Sequence, residues 1–189
     1  MLSNTNHAIL QSIIDNLPSG VTMFDADQRL VAYNQQVRTL LDFPDELFAH
    51  GMPTLHDFAL FNARRGEYGP GDPEKQARAV CDRAHKQQAH VFERQRPDGT
   101  VLEIRGTPLP TGGFVSIYTD VTERKRTERE ARRLAVYLDA VINALPQGVT
   151  VIDEHLVIRL WNRSFEQLLD LPEGLMKPGV TFEDVARSN

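Results

Sequence analysis

The sequence has little cysteine and no long hydrophobic run. Cys81 is the one cysteine among 189 residues, which excludes a disulfide within the chain and a zinc site built from several cysteines. A single thiol suits a reducing compartment. No stretch approaches the roughly 20 apolar residues that span a bilayer, and the N-terminus lacks the basic start and long apolar core of a signal peptide. We therefore expect a cytoplasmic protein without a membrane segment.

An excess of positive charge is also missing. The formal net charge is -5 at pH 7, and the hydrophobic fraction of 41% is ordinary for a globular protein. The basic residues between Arg124 and Arg133 alternate with glutamates and have no aromatic residues among them. A solvated helix face explains them better than a nucleic-acid contact does.

Motifs that carry catalysis are absent. The sequence contains no GxGxxG, no phosphate loop and no HExxH pattern. None of the six histidines has the surroundings of a kinase phospho-acceptor, and Gly112-Gly113-Phe114 lacks the acidic residues of a cyclase signature. We therefore expect a protein that is not an enzyme and holds no metal. Nothing in the sequence requires a cofactor, and it leaves open whether one is bound.

What the sequence does contain is an internal repeat. "IIDNLPSGVTMFDADQRLVAYNQQVRTLLDFPDELFAHG" begins at Ile13, and "VINALPQGVTVIDEHLVIRLWNRSFEQLLDLPEGLMKPG" begins at Val141. A constant shift of 128 aligns them without a gap, and 14 of the 39 positions are identical, where unrelated stretches would share about two or three. A unit of this length indicates tandem domains rather than a solenoid.

The second copy stops early. It reaches only the equivalent of about Ala59 before the sequence ends at Asn189. We therefore expect a piece of a longer protein, or a shortened one, whose downstream output domain is not included.

The pattern of one unit predicts two strands, a block of helices and then three strands. Each copy begins with an amphipathic helix that ends at Pro18 or Pro146. "GVTMFDAD" and "LVAYN" are β-rich, and Asn34 stands where a helix N-cap belongs. Asp72 and Pro73 start a further helix. "HVFERQR" and "VLEIRGTPL" flank the hairpin signal "PDGT", and "GGFVSIYTD" is the last strand. This order indicates an α+β fold with an antiparallel sheet.

Four motifs together resemble PAS domains of the bacterial subgroup found in sensor kinases and cyclic-dinucleotide enzymes. They are "NLPSGVTMFDADQRLVAYN", "RRGEYGPGDPE", "FERQRPDGTVLEIRGTPLPTGGFVSIYTDVTERKRTE" and the restart "NALPQGVTVIDEHLVIRLWN". The resemblance covers nearly all of residues 13–130 and then 141–187. It implies a five-stranded antiparallel sheet with flanking helices that enclose a small pocket, and a sensory or dimerising role without catalysis.

We accordingly expect four segments: an N-terminal amphipathic helix over residues 1–18, a PAS domain over 19–122, a linker or signalling helix over 123–145, and the first half of a second PAS domain over 146–189. The resemblance also implies a joint between the last strand and the signalling helix, at the Asp120-Val121-Thr122 step. Asp120 or Thr122 can cap that helix, and Asp120 with Glu123 has the spacing of a capping box. A plain solvated linker helix is the alternative.

A dimer seam is expected on the linker helix. Ala131, Leu134, Leu138, Val141 and Leu145 follow the 3-4-3-4 spacing of a coiled coil. A homodimer would cover this stripe, with Leu134, Leu138 and Val141 at its centre. The alternative is that Leu138, Val141 and Leu145 pack on the sheet of the second domain.

The pocket implied by the resemblance should hold a small apolar or aromatic ligand, or side chains alone. The candidate lining residues are Met23, Phe61, Cys81, His85, Phe92, Ile104 and Ser116. In haem-binding relatives a histidine on the covering helix ligates iron, which makes His85 a candidate ligand, though a histidine on a partly exposed helix is usually not one. Cys81 lacks the Asn-Cys-Arg-Phe context of the flavin photoreceptors.

The leading interpretation is thus a cytoplasmic sensory or dimerisation module of a two-component or cyclic-dinucleotide signalling protein. It would bind a small molecule and transmit through the helix after Asp120-Val121-Thr122. The alternative is a ligand-free structural spacer that sets dimer geometry.

Overall fold

The computed structural model describes residues 9, 11–49, 51–86, 88–110 and 112–188. Its contacts divide the chain into two compact units, Met1–Lys125 and Arg126–Asn189. The predicted N-terminal helix over residues 1–18 is described in part: residues 11–15 are helical, while residues 1–8 and Leu10 lie outside the described residues.

The elements of the first unit follow the predicted order of strands, helices and strands. They are β1 (Gly20–Phe24), β2 (Leu30–Tyr33), α1 (Gln35–Leu40), a 3-10 turn (Asp45–Phe48), α2 (Leu55–Arg64), α3 (Pro73–His85), β3 (His90–Gln95), β4 (Val101–Pro108), β5 (Phe114–Asp120) and the start of α4 (Thr122–Ala144).

The five strands form one antiparallel sheet in the order β2-β1-β5-β4-β3. The predicted α+β fold with a five-stranded antiparallel sheet and flanking helices is confirmed. The hairpin predicted at "PDGT" joins β3 to β4, with Gln95 opposite Val101. The outer strands β2 and β3 are the two edges of the sheet.

Short polar side chains begin the helices of the first unit. Asn34 accepts a hydrogen bond from the Val37 amide at 3.1 Å and caps α1. Thr54 and Asp57 form a reciprocal capping box at α2. Asp72 caps α3 and Pro73 occupies its first turn, as the sequence predicts. These caps satisfy amides that a helix cannot pair internally.

The core lies between one face of the sheet and the helices that follow β2. It contains nine buried apolar residues: Phe24, Leu30, Val37, Leu41, Phe43, Leu55, Phe58, Leu102 and Ile104. The rings of Phe43 and Phe58 stack with centroids 4.4 Å apart, and Phe24 meets Phe58 edge-on at 5.7 Å. Ile104 and Ser116 point to this inner face, and their paired residues on the neighbouring strands point to the same side of the sheet.

The second unit contains most of α4, β6 (Thr150–Ile152), β7 (Ile158–Trp161), α5 (Arg163–Leu168) and α6 (Phe182–Ser188). Strands β6 and β7 pair as Thr150 with Trp161 and Ile152 with Ile158. These pairs lie 128 residues after the pairs Thr22 with Tyr33 and Phe24 with Leu30. Its small core is centred on Ile158, Val180 and Val185.

Candidate ligand cavity and signalling joint

A cavity of about 900 Å³ lies in the first unit, between the inner face of the sheet and helices α2 and α3. Its size falls within the range of about 300–1,000 Å³ that is usual for small-molecule sites. The apolar part of its wall comes from three strands and the helical block, and includes Phe43, Leu55, Phe58, Phe92, Ile104 and Phe114. A ligand with an apolar body would fit this wall.

Three of the seven predicted lining residues line the cavity. Phe92, Ile104 and Ser116 stand on neighbouring strands β3, β4 and β5. Phe92 lies on the edge strand β3 and is 43% exposed. Ser116 is buried and lies opposite the buried Thr22.

The other four predicted residues are not among those that line the cavity. Met23 follows Thr22 on β1 and therefore points to the opposite face of the sheet. Phe61 packs edge-on against Phe43 at 5.7 Å, under the guanidinium of Arg65 at 4.5 Å. Strand alternation places Met23 on the face opposite Thr22, but only the fold shows which face the helices cover. The aromatic contacts of Phe61 likewise require the tertiary structure.

Cys81 and His85 lie on α3 but outside the cavity wall. Cys81 packs against the core, and burial, with a smaller effect from Asp82, raises the pKa of its thiol. His85 Nδ1 lies 2.8 Å from Gln28 Nε2 and 3.0 Å from the Cys81 carbonyl oxygen. A ring already held by these contacts outside the cavity does not fit an axial ligand of a haem inside it. The described residues include no group of three or more metal-ligating side chains that could hold an ion.

A buried ionic cluster adjoins the cavity, which two of its members, Glu67 and Arg94, line. Sequence reasoning missed this cluster. Glu67, whose side chain is 1% exposed, accepts a hydrogen bond from Arg96 Nε at 2.8 Å. Arg65 Nη2 lies 3.3 Å from the same carboxylate, and Arg94 Nε lies 3.5 Å from its other oxygen. Arg96 also bonds Asp42 at 2.8 Å. One buried carboxylate thus holds three guanidinium groups.

A weak signal for this cluster is present in the sequence. Arg94 and Arg96 are two residues apart, so an extended chain places both on one face. That face is the inner one, where residue patterns would predict apolar side chains. Glu67 comes from the loop after α2, and only the fold brings it to β3.

The joint between sheet and helix consists of Asp120, Val121 and Thr122. The Asp120 carboxylate accepts hydrogen bonds from the Thr122 amide at 2.8 Å and from its hydroxyl at 2.5 Å. The Thr122 hydroxyl oxygen accepts from the Val101 amide at 2.9 Å, and the Val121 amide donates to the Val101 carbonyl at 2.9 Å. Val121 is buried. Strand β5 therefore passes into α4 without a loop, and β4 is bonded to the connection.

Glu123 lies in the first turn of α4, and the residues after it bond back to the sheet. Lys125 Nζ lies 2.8 Å from a Glu93 oxygen, and Arg124 Nη2 lies 3.4 Å from Glu103. These pairs connect the first turns of the helix to β3 and β4.

The predicted seam residues are exposed. Leu134, Leu138 and Val141 are 57%, 50% and 41% exposed, and α4 has no buried residue. Leu138 also lines an open groove of about 590 Å³ with Ile142 and Trp161. The sheet of the second unit therefore leaves this stripe largely uncovered.

The same buried amide occurs in both units. Asn34 accepts from the Val21 amide at 2.9 Å and donates to the carbonyl oxygens of Ile14 and Ser19 at 2.8 and 2.9 Å. Asn162 accepts from Val149 at 2.8 Å and donates to Ile142 and Gln147 at 2.7 and 2.9 Å. Each asparagine joins the end of the preceding helix to the first strand of its unit.

Comparison with known proteins agrees with this architecture. The model of the PAS fold family matches residues 14–129 and 142–189. The chain belongs to the PAS fold family. The predicted resemblance to PAS domains is therefore confirmed. PAS domains are generally sensory modules rather than catalytic ones.

The relatives of this PAS chain include a sensor protein. The chain is 29% identical over 89 residues to the sensor protein DivL of Caulobacter vibrioides, a match that covers 47% of this chain and 12% of that protein. A domain of a sensor histidine kinase/response regulator from Geobacter sulfurreducens is 14% identical, with a TM-score of 0.41 over 61% of this chain and 94% of that one. The PAS domain of BvgS from Bordetella pertussis is 17% identical, with a TM-score of 0.45 over 70% and 98%. Within the described residues, no helix has the length and apolar character needed to span a membrane.

Proposed function

We propose that this PAS chain is a cytoplasmic sensory module of a larger signalling protein, either a sensor histidine kinase or a cyclic-dinucleotide enzyme. The module binds a small molecule between its sheet and α3 and passes the change to α4. The proposed segments are those expected from the sequence: residues 1–18, 19–122, 123–145 and 146–189.

The observation that carries the proposal is the joint. Thr122 is the first residue of α4, and its hydroxyl bonds both Asp120 on β5 and the Val101 amide on β4. Ser116 of β5 and Ile104 of β4 line the cavity. A shift of these strands on ligand binding therefore bears directly on the first turn of the helix. The similarity to a sensor protein supports the same role.

A chimeric kinase tests the proposal. The chain replaces the PAS domain of a sensor histidine kinase. The rate of autophosphorylation is measured for the unaltered chimera, for its Thr122→Val variant and for a control variant, Thr127→Val, at an exposed position of α4. We expect Thr122→Val to change the rate by at least about fivefold, the lower end of ordinary coupling between sites. Equal rates for all three proteins would contradict transmission through the joint.

The second candidate function is a structural spacer that binds nothing and sets dimer geometry. The exposed apolar stripe of α4, with Leu134 at 57% exposure, favours it. Native mass spectrometry of the purified protein separates the two functions: a small molecule retained by the protein supports the sensory module, whereas a homodimer without one supports the spacer.

A further inference from the structure

The cavity wall contains a guanidinium group, that of Arg94, in which two of the three nitrogens have no hydrogen-bond acceptor among the described residues. Nε and Nη2 of Arg94 are buried, and neither donates a hydrogen bond to any residue that the structure describes. Arg94 lines the cavity, and its side chain is 12% exposed. Buried donors without acceptors are costly, and native proteins rarely leave them unpaired.

The surroundings of Arg94 do not neutralise it. Glu67 Oε2 is 3.5 Å from Nε and accepts no hydrogen bond from a described residue, while Oε1 is taken by Arg96. The buried part of the cluster thus sets the one carboxylate of Glu67 against three arginines. The carboxylates of Asp42 and Asp98 form ion pairs with Arg96, from side chains that are 66% and 50% exposed.

The aromatic neighbour of Arg94 adds no negative charge. The guanidinium carbon lies 5.3 Å from the ring centroid of Tyr68. Burial raises the pKa of Tyr68, and the charge of Arg94 opposes only part of that rise. The phenol is therefore neutral at pH 7, and the positive charge at this part of the cavity wall remains available to an anion.

We infer that the cavity binds a small apolar carboxylate, whose carboxylate oxygens accept the free hydrogen bonds of Arg94 and whose body packs on Phe92, Ile104 and Phe114. A planar guanidinium matches a carboxylate with two parallel hydrogen bonds. The lining amide of Gln76 and the hydroxyl of Ser116 can meet a further polar group of the ligand. The inference rests on the sensory role proposed above, because it names the ligand class of that role.

A matched ligand series tests this inference on the whole chain. The probes are sodium carboxylates from butyrate to decanoate and 3-phenylpropionate, each compared with its own primary amide by NMR titration of the arginine Nε–H signals. We expect at least one carboxylate to bind about tenfold or more tightly than its amide and to shift the Arg94 signal, since hydrogen bonds to charged groups are the stronger ones.

Two variants locate the effect. Arg94→Gln should abolish the preference for carboxylate over amide, while Arg105→Gln, which removes the same charge from the opposite face of the sheet, should keep it. If no probe binds, if the amides bind equally well, or if Arg105→Gln loses the preference too, the inference is overturned. Should Arg94→Gln fail to fold, the comparison of each carboxylate with its amide on the unaltered protein, with the shift of the Arg94 signal, still tests the inference.

The two proposals can fail separately. Carboxylate binding with no effect of Thr122→Val in the chimeric kinase would remove the sensory role and keep the binding site. An effect of Thr122→Val without any carboxylate binding would keep the transmission and remove this ligand class.

Discussion

At the scale of single residues, Asn34 illustrates how one side chain can hold three segments together. Its amide is fully buried and makes four hydrogen bonds, to Val21, Val37, Ile14 and Ser19. The oxygen accepts twice and the nitrogen donates twice, which is the whole capacity of the group. An aspartate could not replace it, because a carboxylate cannot donate to the two carbonyl oxygens.

We predict that Asn34→Ala lowers the free energy of unfolding of the first unit by about 3 kcal/mol, since each bond contributes about 1 kcal/mol and buried partners are left unpaired. Urea denaturation followed by circular dichroism measures it. The control is Asn16→Ala, which removes one exposed bond to Ser12 and should cost less than about 0.5 kcal/mol. Equal losses in the two variants would contradict the role of Asn34.

The cap function of Asn34 was predictable from the sequence, but its other bonds were not. The cap follows from the residue type before Val37, Leu40 and Leu41. The bonds to Ile14 and Ser19 depend on where the preceding helix ends in space. For the same reason Arg94 could be placed on a strand face but not beside Glu67, whose loop is distant in sequence.

At the scale of elements, the start of α4 is determined by the strands before it. The Asp120-Val121-Thr122 step needs no glycine or proline because Val121 continues the pairing with Val101 while Thr122 begins the helix. The change from apolar strand to charged helix in the sequence marks this point. The role of Val101 as the partner does not follow from local sequence.

We predict that Thr122→Val speeds hydrogen exchange of the Val101 amide by about fivefold, because the valine offers no oxygen to that amide and a hydrogen bond contributes about 1 kcal/mol. Exchange measured by NMR reports it residue by residue. Amides in the middle of β4, such as Ile104, serve as internal references. Unchanged protection of Val101 would mean that the Thr122 hydroxyl does not hold the strand.

The second unit repeats the helix-capping hydrogen bonds of the first unit. Thr181 and Asp184 repeat the bonds of Thr54 and Asp57, with the threonine amide donating to the aspartate at 3.0 and 2.8 Å. These pairs are 127 residues apart rather than 128. The second copy therefore has one residue fewer between Gly179 and Thr181 than the first copy has between Gly51 and Thr54. The sequence comparison ends at Gly179, which explains why it needed no gap.

At the scale of the whole molecule, the exposed stripe of α4 bears on assembly. Leu134, Leu138 and Val141 are 41–57% exposed, and apolar stripes of this kind are commonly covered by a partner. We therefore retain the homodimer as a proposal, with this stripe as its seam.

We predict that Leu134→Glu with Leu138→Glu weakens the dimer by several kcal/mol, because a dimer interface would bury unpaired charges. Sedimentation at micromolar concentration measures it. Val136→Glu is the control, since Val136 is 66% exposed and lies off the seam. The first unit should stay folded in both variants. A monomeric parent, or a double variant that remains dimeric, would remove the seam.

How much of the molecule the sequence could predict depends on the range of the interaction. The strands, the caps and the PDGT hairpin follow from neighbouring residues, and the five-stranded antiparallel sheet follows from the family resemblance. The order of the strands in that sheet was not predicted. Of the predicted lining residues, Phe92 and Ile104 line the cavity, whereas Met23 and Phe61 do not. Their positions depend on which sheet face is covered and on packing between Phe43 and Arg65.

The length of α4 converts a small change of angle at the joint into a larger displacement at the far end of the helix. The helix has 23 residues, and at 1.5 Å per residue it is about 34 Å long. A tilt of about 5° at Thr122 would carry Ala144, at the far end, through about 3 Å over that length. A small change in the angle of α4 at Thr122, with the hydrogen bonds of the sheet intact, would thus become a displacement of about 3 Å at Ala144.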